Sequence, residues 1–434
     1  MKVKIGIVGY GSFSKNFVKL FRMHPDVEEV AVAELMEERR KEVHEKYPDM
    51  RIFNSLDDLL ERGNDINCVG IFTQRHLHAP MVIQALKAGK HVYSAVPIAC
   101  TVEEVREIVE IVKETRQIYM MGETCYYYPA AIFCREKNKE GAFGKFVYAE
   151  AQYYHDIREM YDNFSHSGGE NRRRVAGIPP MFYPTHSISM VFPAINAHAV
   201  KVSCVGMRDD FPDDIYGEEK NDFQNPFSNE SALFQMSDGS TVRINEFRRV
   251  GINKPSTYIT AFYGEQAAYD CVADQHLFQY APYVTRDGEE PKRYMEYVSD
   301  LLMPIDYLKF KSGELKEYRH QTWDDHDSPV SVLAIEGYAK IQDLSRLPKC
   351  YRSIHSGPHF NSHTFLVDDF VRAVVDNKLP PNNAWDAARF MIPGLIAHES
   401  ALRGGELLDI PDLGDAPADF ERLTYKKKEH YEQE

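Results

Sequence analysis

Positive charge is in deficit: 51 lysines and arginines stand against 66 aspartates and glutamates, a net charge of −15. That balance argues against nucleic acid or an anionic membrane surface as the main partner. Long apolar runs are missing too. None approaches the roughly 20 residues needed to cross a bilayer, so no membrane partner is expected. Cysteine is sparse, with seven residues at 68, 100, 125, 134, 204, 271 and 350, an odd and scattered set without a C-x-x-C pair. Reduced thiols in a cytoplasmic protein fit that pattern best. The chain runs straight into a strand without a signal peptide, which also points to the cytoplasm, and no internal repeat is visible.

What is present is enough length, 434 residues, for two domains with separate cores. Val3 to Phe17, VKIGIVGYGSFSKNF, organises the first. Lys2 to Val8 is a β-branched, buried strand, Gly9-Tyr10-Gly11 a tight turn, and Ser12 to Phe21 a helix with Phe13, Phe17, Leu20 and Phe21 on one face. A Gly-rich turn between strand and helix admits a pyrophosphate to the positive helix end. Ser14 stands where the motif G-x-G-x-x-G has its third glycine. A second strand, Glu28 to Ala33, ends at Glu34, where an acid would meet the adenosine ribose hydroxyls and repel a 2′-phosphate. NAD(H) is therefore expected over NADP(H), with Arg39 and Arg40 nearby on the next helix and solvated. Further alternation follows: helix Met36–Lys46, strand Arg51–Phe53, helix Ser55–Glu61 capped by Ser55, strand Cys68–Phe72, helix His78–Ala88, strand His91–Ser94, helix Thr101–Thr115 with a Thr101/Glu104 capping box, and strand Ile118–Met121. Residues 1–122 form a Rossmann domain.

Residues 123–434 read as an α+β domain with a large, mostly antiparallel sheet. A helix spans Pro129–Asn138, a turn Gly141–Gly144 and a strand Lys145–Tyr154; strands follow near 199–206, 231–236, 240–247 and 257–263. His363–Asp376 and Trp385–Arg403 are helices, expected to pack back toward the first domain, and Gly404-Gly405 stops the second. Residues 155–185 are loop-like, 208–230 and 282–330 resist placement, and the charged tail from Lys426 is expected to fray.

The loop ends of the first domain would line a nicotinamide pocket: Gly9, Gly11, Ser12, Phe13, Glu34, Thr73, His76, His78, Ala95, Val96, Pro97 and Glu123. Three constellations compete for the substrate wall. They are Tyr153-Tyr154-His155-Asp156, then Phe182-Tyr183-Pro184-Thr185-His186, then His355, His359 and His363. Histidine with tyrosine moves protons near neutral pH. The four-residue spacing of the late histidines suggests a metal face, but Gly357-Pro358 breaks any helix there; no metal is expected, and His363 is the one kept. Arg172 to Arg174, beside Gly168-Gly169, suggest a lid with Arg173 over the substrate. Cys125 is read as packing.

The chain resembles the Gfo/Idh/MocA family of dinucleotide-dependent carbohydrate enzymes. The likeness runs through the Rossmann half, GAFGK (141–145), HTFLVDDFVRAV (363–374) and NNAWDAARFMIPGLIAHESALRGGELLDIPDL (382–413). Sugar dehydrogenases of that family carry Glu-Lys-Pro after the fifth strand, with the lysine assisting proton removal; here the matching residues are Ala95-Val96-Pro97. Valine exchanges no proton. The chain is more similar to glycoside hydrolase family 109, the NAD-dependent glycosidase branch, at QYYHDIR (152–158), MGETCYY (121–127) and FYPTHSIS (182–189). That resemblance implies catalysis by Tyr183 and His186 and tightly held, recycled NAD; His155 is expected to help, and Tyr126, Tyr153, Asp156, Arg158, Arg173 and His363 are expected to line the substrate. The implied reaction is C3 oxidation of a glycoside, C2 deprotonation, expulsion of the leaving group, water addition and re-reduction. A net sugar or cyclitol dehydrogenase is the rival and a non-enzymatic NAD(H) sensor the third reading. A homo-oligomer, dimer or tetramer, is the family-level expectation.

Overall fold

The computed structural model describes residues 2–432 apart from 161–174, 252–255, 273, 283–291, 317–319, 322–326, 329–335, 355–358 and 427. Arg172, Arg173, Arg174 and His355 lie outside the described residues.

The first sheet is parallel and six-stranded, in the order β3-β2-β1-β4-β5-β6: β1 Val3–Val8, β2 Val27–Ala33, β3 Ile52–Phe53, β4 Cys68–Ile71, β5 His91–Ser94 and β6 Tyr119–Met121. Its strands are buried on both faces, which is why they read as continuous apolar runs. Helices α1 Ser12–Met23, α2 Glu37–Lys46, α3 Leu56–Arg62, α4 His78–Lys87 and α5 Val102–Thr115 connect them. Ser55 caps α3, and Thr101 with Glu104 closes a capping box on α5; each cap contributes about 1 kcal/mol. The order reverses between β1 and β4. Ligands of open α/β sheets sit at the carboxyl ends of strands beside such a reversal.

Helix α6 (Pro129–Lys139) leads into a nine-stranded sheet. In chain order its strands are β7 Phe146–Tyr154, β8 Ala199–Arg208, β9 Phe227–Met236, β10 Thr241–Phe247, β11 Ser256–Gly264, β12 Ala267–Val272, β13 Gln275–Tyr280, β14 Tyr294–Tyr297 and β15 Leu408–Asp409. Across the sheet they run β14-β13-β12-β11-β7-β10-β9-β8-β15. All neighbours are antiparallel except β7 and β10. The fold is α/β with a Rossmann sheet followed by this mostly antiparallel one, as the sequence indicates. The sequence reading missed β12, β13, β14 and the parallel pair.

Three long helices complete the described core: α7 Thr185–Ile195, α8 Ser362–Asp376 and α9 Ala384–Leu402. Phe365, Leu366, Phe370 and Val371 of α8 share a buried cluster with Phe17 and Phe21 of α1. His24 Nε2 and Arg372 Nε both reach the buried Asp368 carboxylate, at 3.2 and 2.8 Å. Where it is described, the charged tail is tied down rather than frayed. Tyr431 is buried, and Lys428 and His430 reach Asp26 at 3.4 and 2.9 Å. Aromatic burial outweighs the tail's charge.

Candidate functional site

Gly9 and Gly11 do different work in the first turn. Gly9 has φ +91°, and a Cβ there would lie 2.7 Å from the Phe72 carbonyl oxygen. Gly11 caps α1 without a side-chain bond, and a Cβ there would meet nothing within 4 Å. The backbone at Gly11 therefore borders open space beside the positive end of α1, a cradle that a pyrophosphate fits. Ser14 is buried, and its hydroxyl donates to Gly11 O at 2.9 Å, a tighter local tie than a third glycine makes.

Glu34 is buried at the end of β2. Its Oε2 accepts from the Tyr10 amide at 2.6 Å and its Oε1 from the Met36 amide at 2.9 Å. A carboxylate offers about four lone-pair directions, so capacity remains for ribose hydroxyls beside the turn. Arg39 and Arg40 are not the solvated pair expected. Arg39 Nη1 lies 3.8 Å from Glu34 Oε2, and Arg40 Nη1 donates to the carbonyls of Glu34 and Leu35 at 2.7 and 2.6 Å.

The loop after β4 carries Thr73, with its hydroxyl 3.5 Å from Met81 Sδ, and the exposed His76. His78, placed with the cofactor ligands by sequence, is a buried strut: Nδ1 lies 2.8 Å from Pro97 O and Nε2 3.0 Å from Thr73 O. Burial lowers its pKa despite both carbonyls, so the neutral ring donates to one at a time. It ties the β4 loop to the apolar shelf of Ala95, Val96 and Pro97, where no side chain exchanges a proton.

In the second sheet, the parallel register of β7 with β10 sets Tyr153 opposite Glu246, and Glu246 pairs onward with Glu230 of β9. Glu230 accepts from the Met181 amide at 2.8 Å and from His398 at 2.7 Å. Glu246 accepts from the Ser187 hydroxyl at 2.6 Å and from Arg248 Nη2 at 2.9 Å. Burial pushes Glu246 up to about 8, against the pull of Arg248 and Ser187. This rung clamps both ends of the turn that delivers Tyr183 and His186. Behind the turn, α9 passes so close that a Cβ on Gly394 would lie 2.2 Å from Met181 O.

The three constellations that compete in sequence meet in space. His186 lies edge-on to Tyr183 and to Tyr153, with centroids 5.0 Å apart in each pair. Tyr153 OH is 2.5 Å from His155 Nδ1. The His186 and His359 rings are 6.4 Å apart and those of His359 and His363 5.4 Å. Glu123 lies beneath: its Oε1 is 2.8 Å from His186 Nδ1 and accepts from the Cys125 amide at 2.9 Å. Burial alone would raise the Glu123 pKa, but His186 and the surrounding donors hold it below the usual carboxylate range. Sequence grouped Glu123 with the cofactor; its bond is to the histidine.

Cys125 packs in the core as read, with its Sγ within 4.8 Å of ligand atoms of Glu123 and His186; burial holds the thiol pKa well above its ordinary value. Other positions differ from expectation. Tyr126 packs against Arg135, 4.0 Å from its guanidinium, and against Tyr127 rather than His186. Asp156 and Arg158 pair with each other, Arg158 Nε donating to both carboxylate oxygens at 2.8 and 3.0 Å. His363 reaches back to the Rossmann side, with Nδ1 2.8 Å from Asn16 Nδ2 and its ring 5.4 Å from that of Phe13.

Two residues escaped the sequence reading. His359 was set aside with the late histidines, yet its Nδ1 is 2.7 Å from Tyr128 OH. It starts a run of three left-handed residues, His359, Phe360 and Asn361, with φ from +53° to +57°. Such a run costs roughly 1–2 kcal/mol per residue, and Gln342 holds it through Phe360 O at 2.8 Å. No residue pattern announces that turn. Arg75 was the other: its guanidinium lies 4.1 Å over the Tyr183 ring. Burial raises the Tyr183 pKa and Arg75 opposes the rise.

Comparison with known proteins bears on the Rossmann half and on the fold. Residues 3–123 match the Gfo/Idh/MocA model, an oxidoreductase family with an NAD-binding Rossmann fold. An alpha-N-acetylgalactosaminidase of Bacteroides fragilis is 35% identical over 142 residues, 31% of this chain and 33% of that relative, so the match spans a third of its length. A glycosyl hydrolase family 109 protein of Streptomyces filamentosus is 25% identical over 95% of this chain and 77% of its own. Levoglucosan dehydrogenase, solved with NADH and levoglucosan, shares the fold with a TM-score of 0.67 at 17% identity, covering 95% of this chain and all of that one. Among the described residues no helix is long and apolar enough to cross a membrane.

Proposed function

We propose that this chain, an enzyme whose residues 3–123 are an NAD-binding domain of the Gfo/Idh/MocA type, is a glycosidase that works by transient oxidation of a sugar hydroxyl. Residues 1–122 hold the cofactor in this reading and 123–434 the carbohydrate. One observation carries it: the proton-moving groups Tyr183 and His186 stand with rings 5.0 Å apart, while the stretch after the fifth strand has Val96 and no lysine. Both similarity to family 109 proteins and the Tyr-Pro-Thr-His turn support it.

What NAD supplies when bound is a reversible hydride acceptor, which acidifies the C–H beside the oxidised carbon. Tyr183 or His186 takes the proton from that C–H. With Nδ1 committed to Glu123, His186 exchanges protons through Nε2, and the buried carboxylate stabilises the imidazolium that results. Tyr153, joined to His155, and His359, joined to Tyr128, offer hydroxyl and ring N–H groups to substrate oxygens. Aryl-glycoside turnover in heavy water tests the reading: aglycone release with deuterium at C2 supports it.

A net sugar dehydrogenase is the second reading, favoured by the levoglucosan dehydrogenase fold; lasting NADH would mark it. Val147, Val205, Met207 and Leu233 are exposed on the large sheet, which supports assembly of copies through that face.

A further inference from the structure

We infer that the glycoside taken by this cleft carries a carboxylate, received by Arg75. The inference rests on the glycosidase reading and adds a substrate class to it.

Arg75 opens the short turn Arg75–Leu77 in the loop after β4 and is half-buried. Its guanidinium lies 4.1 Å over the Tyr183 ring, and among the described residues no carboxylate or carbonyl pairs with it. Four other arginines are matched. Arg248 meets Glu246 at 2.9 Å, Arg249 meets Asp209 at 3.0 Å, Arg158 holds Asp156, and Arg39 lies 3.8 Å from Glu34. In a chain of net charge −15, a half-buried cation beside Tyr183 that has no carboxylate partner among the described residues is conspicuous. Such a group is favourable where an anion arrives.

Three anions could arrive. The cofactor's pyrophosphate belongs at the α1 amides beyond Gly11, whereas Arg75 contacts Tyr183. A Tyr183 phenolate is poorly served, because the guanidinium lies over the ring centre rather than at the hydroxyl. A guanidinium presents its N–H groups as a planar fork, which matches a planar carboxylate with two parallel bonds. A hexuronide supplies that group on the ring being processed. Arg75 is then a specificity residue at the base.

The test uses NADH-loaded enzyme and two readouts. Calorimetry compares glucuronate, galacturonate and mannuronate with their neutral hexoses and with hexose 6-phosphates. Turnover compares aryl hexuronides with aryl hexosides of the same anomer. At least one hexuronate should bind roughly tenfold or more tightly than its neutral partner, with the advantage shrinking as salt rises. Arg75→Gln should abolish the preference and Arg75→Lys, which keeps charge but loses the fork, should retain part of it. Equal binding of acid and neutral sugar, a stronger preference for 6-phosphates, or an undiminished preference in a folded, NADH-binding Arg75→Gln protein would overturn the inference. A carboxylate preference without aglycone release would sustain Arg75 as the acid receptor and sink the glycosidase reading.

Discussion

Glu123 Oε1 lies 2.8 Å from His186 Nδ1, with the carboxylate fully buried. Glu123→Gln keeps an acceptor for the Cys125 amide but removes the charge behind the histidine. kcat is expected to fall roughly 10²–10⁴-fold, with the acid limb of the kcat/KM profile displaced. NAD binding and thermal midpoint should stay near wild type. Loss of NAD binding with an unshifted profile would instead make Glu123 a cofactor ligand.

Glu34 tests cofactor choice. Glu34→Gln weakens acceptance from ribose hydroxyls, and fluorescence titration should show NADH binding about tenfold weaker. NADPH should gain relative to NADH, because the carboxylate no longer repels a 2′-phosphate and Arg39 is left without its neighbour 3.8 Å away. Unchanged discrimination would place the selectivity elsewhere.

Gly394 tests how the site is held. Its Cβ would lie 2.2 Å from Met181 O and 2.4 Å from Pro184 Cγ. Gly394→Ala must move α9 or the turn, at a cost of about 1–3 kcal/mol. Activity should fall more than NADH affinity, because the turn carries Tyr183 and His186 but no cofactor-binding glycine. A stable variant of full activity would show that the turn yields freely.

Buried histidines set the acid limb of stability. Burial takes His276 and His91 down to about 4, and His359, with a further push from His186, to about 3. The unfolded chain binds these protons near pH 6.5 and the folded chain later. Their contribution is therefore complete above that pH and lost as pH falls through the interval toward 4. Each adds about 1.4 kcal/mol per pH unit to the slope. Urea unfolding at pH 7.5, 6.5 and 5.5 should show the decline, and His276→Asn should remove one proton's share of it.

The Rossmann half is legible because its signals are local. Buried strands read as apolar runs, Thr101 and Glu104 announce a helix start, and Gly9 to Gly11 mark the turn. Sheet partners are not local, so nothing along 146–154 or 241–247 shows that those strands run parallel, or that Tyr153 lands opposite Glu246. The same blindness hid the convergence of Tyr153, His186 and His359 from three separate stretches. Histidine identity was informative, but the left-handed run at 359–361 depends on Gln342, a remote brace. Arg75 was passed over because a lone arginine in a loop resembles a solvated one until Tyr183 is found beneath it. The tail misled by composition, its charges concealing the anchoring Tyr431.

The most direct measurement is aryl-glycoside turnover in heavy water, hexosides and hexuronides together, with reduced-nicotinamide absorbance followed throughout. Released phenol, deuterium at C2 of the sugar and no lasting NADH are predicted. Stoichiometric NADH with the glycosidic bond intact would contradict the glycosidase and leave a dehydrogenase.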